Sequence, residues 1–253
     1  MYLKKIGIGA VFAVAWLTIW EICAIWIDLP FAIPRVLPTL KVFVHLFSEV
    51  SFWRVILYSF VRILIGLSFG VLLGVLLAIL SIWIPPLHIG FSQAMAAMKA
   101  TPVASFIMLL WILIGRDTVP IAIALLMVVP LIYQGITDGY RERDPQLSEM
   151  LAVYQVSLLR KFQIFLLPEV FRFFLPSLIQ STALAWKAGI AAEIIAYTAN
   201  SIGKEISDAK NFFEGERMFA WTLAVILLSL LIEFVLNSLH RRYRRYADRN
   251  QES

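Results

Sequence analysis

The sequence predicts an all-α membrane protein, a polytopic helical bundle of about six transmembrane helices with one long cytoplasmic loop. Of its 253 residues, 60% are hydrophobic and only 15% are charged, and the mean hydropathy is +0.82. In soluble domains, roughly a quarter of the residues are charged. We therefore predict a single transmembrane domain, 1–253, with its core at 50–240, a charged amphipathic loop at 141–172 and a basic tail at 240–253.

Apolar runs of about 20 residues can cross a bilayer as helices. The segments of this kind are Ile6–Ile27, Val55–Ile84, Phe91–Ile114, Pro120–Tyr140, Phe174–Tyr197 and Met218–Leu239. The first carries bulky tryptophans and no small-residue cleavage site, so we interpret it as a span rather than a signal peptide. Thr101-Pro102 is expected to open the backbone of the third. Between the first two, Pro30, Pro34 and Pro38 break the helix, and Lys41–Phe52 is predicted to be an amphipathic helix on the outer surface.

Basic residues indicate the orientation of the bundle. They precede the first span (Lys4, Lys5), follow the last (Arg241, Arg242, Arg244, Arg245, Arg249) and occupy the loop (Arg141, Arg143, Arg160, Lys161, Arg172). An even number of spans puts these regions on one side, which the positive-inside rule makes the cytoplasm. The net charge of +5 is thus explained by topology, and nucleic acid is not an expected partner.

Small residues recur at helical spacing in two spans. Gly66, Gly70, Gly74 and Ala78 stand on one face of the second span, which allows close helix packing in lipid. That packing could be within the chain, at a subunit interface or along a pathway. The fifth span is also rich in alanine and glycine from Ala183 to Ala196, as expected of a central helix.

Ionisable residues within the spans are costly and are candidates for function. Six stand out: Glu21, Arg62, Lys99, Lys187, Glu193 and Glu233. We interpret Glu21, Arg62 and Glu233 as structural and select Lys99, Lys187 and Glu193 as candidates for a translocation pathway. Lys187 and Glu193 lie about 9 Å apart along one helix and off a single face, so they are not expected to pair. Cations in a pathway favour an anionic solute.

Patterns for catalysis or metal binding are missing from the sequence. Cys23 stands alone, and His45, His88 and His240 lack metal-ligand spacing. There is no GxxxxGK[ST] phosphate loop, so the chain is not expected to hydrolyse ATP or to hold a cofactor of its own.

The loop has the pattern of two short amphipathic helices. Asp144-Pro145 is a helix start, and Gln155-Val156-Ser157 is expected to separate the helices, with Ser157 capping the second and Pro168 ending the unit. One apolar stripe runs through Leu147, Leu151, Tyr154, Leu158, Phe162 and Phe165. Such a stripe lies against the membrane or docks into a groove of a partner.

At this point the residues resemble a known family. The loop is similar to the "EAA" loop of bacterial ABC importer permeases, with Glu149 at the glutamate and Leu167-Pro168 at the required spacing. The departures are Met150, Leu151 and Phe165, and Gln155 where the family has glycine. Ala185–Ile195, Ser201–Lys204 and Phe219–Thr222 resemble permeases of the nitrate/sulfonate/taurine group.

The resemblance implies a division of labour in the bacterial inner membrane. Two permeases, here a homodimer, form the pathway, two ABC ATPase subunits carrying ATP-Mg dock on the loops, and an extracytoplasmic solute-binding protein delivers a sulfonate-, taurine- or nitrate-like anion or a vitamin precursor. Val156–Phe165 would be the coupling helix. The residues implied in coupling are Glu149, Ala152, Gln155, Val156, Ser157, Leu158, Arg160, Lys161, Phe162 and Pro168.

Two other classes of function remain open. An ATPase-independent carrier or channel would transport solute by itself. A membrane-bound enzyme or sensor would need a catalytic constellation or a signalling domain, and the sequence displays neither.

Overall fold

The structure, a computed structural model, describes residues 2–249, and all regular elements there are helical. The α-helices are α1 Tyr2–Ile27, α2 Val36–Leu46, α3 Val50–Trp83, α4 Pro85–Ala100, α5 Val103–Ile114, α6 Val119–Arg141, α7 Pro145–Val153, α8 Leu158–Lys161, α9 Leu167–Ala196, α10 Ile202–Asn211 and α11 Gly215–Arg249, and a π-helical turn, Phe162–Leu166, joins α8 to α9. The prediction of an all-α polytopic bundle is confirmed.

Among the described residues, four helices are long and apolar enough to span a membrane, or five if α4 and α5 together form one bent span. The four are α3, α6, α9 and α11, which correspond to the predicted second, fourth, fifth and sixth spans; α3 and α9 each end one residue before the predicted boundary. The predicted first span lies in α1, of which the described apolar part, Val14–Ile27, is shorter than a full span. The sequence had predicted about six spans.

The third predicted span, Phe91–Ile114, is not one continuous helix. It is divided between α4 and α5, whose axes differ by 99°. Thr101 ends α4 in an extended conformation, and its N–H donates to the carbonyl of Ala97. The next residue, Pro102, has no N–H and disfavours the helical conformation of the residue before it. The break therefore occurs where the sequence placed it, although the bend is sharper than an opened backbone requires.

The helix after the first span begins earlier than predicted. α2 starts at Val36 rather than Lys41, and Pro38 lies within its first turn, where proline is tolerated. The carboxylate of Glu21 accepts a hydrogen bond of 2.8 Å from the N–H of Val36. It thus binds one of the free donors at the start of α2, a structural role for this intramembrane carboxylate.

The chain divides into two compact units, each described here by itself. The first joins the residues up to Ser59 with Ala199–Leu228. In it, Phe52 and Trp221 are buried and their ring centroids lie 4.9 Å apart. Ser201 caps α10 by accepting from the N–H of Lys204 at 3.0 Å. Earlier, we predicted a single domain, and that assignment stays a prediction.

The second unit, Phe60–Thr198 with the residues from Ser229 onward, holds the residues selected for function. Its helices approach closely through glycines. A Cβ on Gly66, Gly70 or Gly74 of α3 would lie 2.3 to 2.9 Å from atoms of α6. A Cβ on Gly135 of α6 would lie 2.2 Å from Ser177 Oγ of α9. Of the three possibilities for the α3 glycines, the structure displays packing within the chain.

α9 lies at the centre of this unit. Ala188, Ala192 and Ala196 pack in one buried cluster with Ile107 of α5 and Ile123 of α6. On another side, a Cβ on Gly189 would lie 2.6 Å from Ile63 of α3. The small residues of the fifth span therefore allow three helices to surround α9.

Candidate functional site

A polar cavity of about 670 Å³ opens between α4, α6 and α9. Its polar and charged lining residues are Lys99 of α4, Gln134 and Asp138 of α6, and Arg172, Ser177 and Gln180 of α9. The apolar remainder of its wall includes Phe173 and Pro176. Two cations, one carboxylate and two amides therefore converge on a space of the size that holds a small solute.

Lys99 is the sequence candidate that this cavity contains. It stands in the last turn of α4, directly before the break at Thr101. Its Nζ donates a hydrogen bond of 2.7 Å to Oε1 of Gln134. Because an amide oxygen leaves the lysine charge uncompensated, the cavity retains a cation that can contact a ligand.

The other two pathway candidates lie outside this cavity, and each has an oppositely charged partner on another helix. Glu193 is fully buried, with Oε1 3.8 Å from Nη1 of Arg62 on α3. Lys187 is 63% exposed, with Nζ 3.5 Å from Oε1 of Glu233 on α11. As predicted, Lys187 and Glu193 do not pair with each other. Because each charge has a partner and neither residue lines the cavity, both are weak candidates for contacting a solute there.

Sequence reasoning missed most of the cavity. The sequence contains a signal for it, which is lining residues at four-residue spacing. On α6 these are Gln134 and Asp138, and on α9 they are Arg172, Pro176 and Gln180. Polar residues at this spacing share one helix face. An ionisable group within a span was the criterion for a candidate, and the glutamines and the serine do not meet it. Asp138 does meet it, in the last turn of the fourth predicted span, and was not selected.

The loop begins with the predicted helix start. Oδ1 of Asp144 accepts from the N–H groups of Gln146, at 2.9 Å, and Leu147, at 3.4 Å. Pro145 is the first residue of α7, where its missing N–H costs nothing. α7 then ends at Val153, and α8 begins at Leu158, so the two helices are separated where the sequence indicated.

The turn after α7 is built on Gln155. This residue has φ of +49°, in the left-handed region. The N–H of Val156 donates to the carbonyl of Leu151 at 3.2 Å, a bond from the sixth residue of the turn back to the first. Together these features define a Schellman helix end, whose left-handed position is usually glycine. Gln155 thus forms the turn for which the resembling family uses glycine.

The segment after the turn differs from the prediction. α8 is a single turn, and the π-helical turn leads from it directly into α9. Pro168 is the second residue of α9 and does not end the unit as predicted, since proline is tolerated in a first helical turn. The implied coupling helix, Val156–Phe165, is therefore a short helix continuous with a long one.

The apolar face that the loop exposes is not the predicted stripe. Leu151 and Phe165 are buried, whereas Tyr154, also in the stripe, is 76% exposed. The side chains of Ala152, Leu158 and Phe162 lie outside the described residues. Among the side chains that the structure describes, the exposed large apolar residues of the loop are Leu147, Met150, Val153, Tyr154, Leu159, Ile164 and Leu167, of which Leu147 and Tyr154 belong to the stripe. We call five of them, Met150, Val153, Tyr154, Leu159 and Ile164, the loop face. Ser157, Arg160 and Gln163 are exposed beside it.

Glu149 is exposed and lines a cleft of about 430 Å³ with Arg141 and Arg143. Nη1 of Arg143 donates to the carbonyl of Tyr140 at 3.1 Å, and its guanidinium covers the Tyr140 ring. Among the ion pairs of the described residues, none within 4.0 Å includes Glu149. On the other side of the loop, Lys161 Nζ donates to the carbonyl of Ser148 at 3.4 Å and so ties the second helix to α7.

Comparison with known proteins identifies one family. The family described as "Binding-protein-dependent transport system inner membrane component" matches residues 95–245, more than half of the chain. This range contains α5 to α10, the loop and the residues that line the polar cavity. No curated protein sequence matches the chain.

Two solved structures are similar in fold. One is described as an amino acid ABC transporter with histidines, with a TM-score of 0.64 and 15% identity over 76% of this chain and 93% of that one. The other is the MetNI methionine ABC transporter in an inward-facing conformation, with a TM-score of 0.58 and 17% identity over 75% and 93%. At these identities the likeness supports the fold.

Proposed function

Because the chain belongs to the family of binding-protein-dependent transport system inner membrane components, we propose that it forms the translocation pathway of an importer whose ATPase subunits dock on the loop 141–172. The family consists of membrane permease components of ABC importers without an ATPase of their own. The observation that carries the docking proposal is the loop face, five apolar side chains exposed on a charged segment.

The mechanism is alternating access. ATP binding closes two ATPase subunits on each other, and each moves the loop docked on it. α8 transmits that motion directly, because it continues through the π-helical turn into α9, which lines the polar cavity. A rigid helix between the loop and the cavity is the kind of packed element that carries coupling between two sites.

The proposed assembly has two copies of this chain, two ABC ATPase subunits and an extracytoplasmic solute-binding protein, in the bacterial inner membrane with both termini cytoplasmic. The basic residues at both ends and in the loop support this orientation. The exposed pair Lys187–Glu233 supports a second copy. Charged groups on a lipid-facing surface cost a few kcal/mol, and a neighbouring subunit would cover them.

The proposed solute is a small anion of the sulfonate, taurine or nitrate kind, or an anionic vitamin precursor. Lys99 and Arg172 are the cations of the polar cavity and Asp138 is its carboxylate, and Nη1 of Arg172 lies 4.0 Å from Oε1 of Glu169. Lys99, which forms no ion pair among the described residues, and the amides of Gln134 and Gln180 can donate to anionic oxygens. An ATPase-independent carrier or channel is the second candidate. It would require the same cavity but gives no reason for an apolar face on the loop.

The docking proposal is tested by introducing a charge on the loop face. Leu159→Glu is expected to reduce co-purification of the ATPase encoded beside this chain by about tenfold, because burying an unpaired carboxylate in an apolar contact costs a few kcal/mol. Gln163→Glu is the matched control, since Gln163 is exposed on the same segment but outside the loop face. Unchanged assembly and transport for Leu159→Glu would refute docking at this surface.

A further inference from the structure

Four side chains from three helices of the second unit form one chain of hydrogen bonds. Ser81 Oγ of α3 and Tyr133 Oη of α6 are 2.9 Å apart, and both residues are buried. Tyr133 Oη is also 2.9 Å from Nδ1 of His88 on α4. The other ring nitrogen of His88, Nε2, contacts Nη2 of Arg141 at the end of α6.

The chemistry of the arginine fixes the direction of every bond in this chain. A guanidinium can only donate, so Nε2 of His88 accepts and carries no proton. The imidazole is then neutral, with its proton on Nδ1, which donates to Tyr133 Oη. Tyr133 in turn donates to Ser81 Oγ. His88 is therefore held in one tautomer by its two neighbours, and its ring is nearly parallel to that of Tyr133, with an angle of 13°.

This chain joins the two parts of the proposed site. Arg141 lines the cleft that contains Glu149 at the start of the loop. His88 is in the first turn of α4, and Lys99, in the last turn of the same helix, reaches the polar cavity. The two residues are separated by about 16 Å of helix. α4 is thus bonded to α6 at both ends, through His88 near the loop and through Lys99 at the cavity.

We propose that His88 is a positioning residue for the coupling of ATP hydrolysis to transport: its neutral, Nδ1-protonated imidazole holds Arg141 at the start of the loop. The proposal rests on the proposed function. A side chain with only donors at this place cannot accept from Arg141, and a cationic one would repel it.

Arg141 is the charged residue that the described contacts bring to the His88 ring. Both hydrogen-bond partners of the ring, Tyr133 and Arg141, come from α6, whereas Ser81 of α3 bonds to Tyr133. On α4 itself the nearest charged residue is Lys99, three turns away. Asp138, one turn before Arg141 on α6, lines the polar cavity. A cation in place of the imidazole would therefore stand directly beside Arg141, and the bond to Arg141 would be lost.

The test uses the full complex in proteoliposomes and measures solute transported per ATP hydrolysed. His88→Gln keeps an oxygen to accept from Arg141 and an amide to donate to Tyr133. It is expected to retain coupling within about twofold of the unaltered complex. His88→Lys offers only donors and is expected to lower the ratio about fivefold or more.

Tyr133→Phe keeps the core packing but removes the hydroxyl that accepts from Nδ1 of His88, so it is expected to lower the ratio. This variant preserves the test if His88→Lys does not assemble. A ratio for His88→Lys equal to that of the unaltered complex, or an unchanged ratio for Tyr133→Phe, overturns the role of His88. Absence of ATP-dependent uptake by the unaltered complex overturns the proposed function itself.

Discussion

Gln155 is a residue with a side chain in a backbone conformation that favours glycine. In the resemblance it stands where the EAA loop has glycine, and the structure gives it the left-handed conformation that glycine would adopt there. A residue with a side chain has a cost of about 1–2 kcal/mol in this conformation. The family turn is therefore retained, and the loop bears a local strain that the family pattern avoids.

We predict that Gln155→Gly stabilises the turn. Relief of the left-handed strain, offset by the greater freedom of glycine in the unfolded chain, leaves a gain of about 1 kcal/mol. Hydrogen exchange at the amide of Val156, which bonds to Leu151, should slow about fivefold. Gln163→Gly is the control, because Gln163 lies in the π-helical turn and has no positive φ, and glycine there should speed local exchange. Faster exchange at Val156 in the first variant would contradict the strain.

The individual roles of the intramembrane charges could be predicted only in part. Composition identified them, and helical spacing excluded a pair between Lys187 and Glu193. Their actual partners, Glu233 and Arg62, come from helices distant in the sequence. Helix periodicity predicts on which face of its helix a residue lies, but not which other helix packs against that face. The sequence therefore could not distinguish Lys99, which lines the cavity, from Lys187 and Glu193, which form ion pairs.

At the level of elements, the contact of α3 with α6 depends on backbone approach. Small residues at four-residue spacing predicted a tight contact but not the partner helix, which the structure identifies as α6. The position of the α4–α5 break was likewise predicted from Thr101-Pro102. Its bend of 99° was not, because a proline removes a hydrogen bond without fixing the direction of the next helix.

We predict that Gly70→Leu disrupts the packing of α3 on α6. Even a Cβ at Gly70 would lie 2.8 Å from Cβ of Val128, so a larger side chain must separate the helices. Overpacking of this kind costs about 1–3 kcal/mol or more. The midpoint of thermal unfolding of the detergent-purified protein should fall by several degrees.

The control for this prediction is Gly90→Ala on α4. A Cβ on Gly90 meets nothing within 4 Å, and alanine favours the helix by roughly 1 kcal/mol over glycine. This variant should unfold at the same or a higher temperature. A Gly70→Leu protein as stable as the Gly90→Ala protein would show that α3 and α6 are not in close contact.

Across the whole molecule, the pathway candidates among the intramembrane charges are of two kinds: two form ion pairs between helices, and one, Lys99, lines a polar cavity without an ion pair among the described residues. Arg62–Glu193 and Lys187–Glu233 each neutralise an intramembrane charge across two helices. Lys99 is instead hydrogen-bonded to a neutral amide in the polar cavity. α9 lines this cavity and is continuous with the helical part of the loop. We therefore expect solute movement to depend on Lys99, and the energy for it to enter through the loop.

The most direct measurement is solute uptake by proteoliposomes that contain this chain with or without its ATPase partner, supplied with the binding protein of the same gene cluster. We expect uptake only with the ATPase and hydrolysable ATP, and about a tenfold lower rate for Lys99→Leu, because the cavity loses its uncompensated cation. Uptake of equal rate by the chain alone, without ATPase or ATP, would contradict an ATP-driven importer and identify an autonomous carrier or channel.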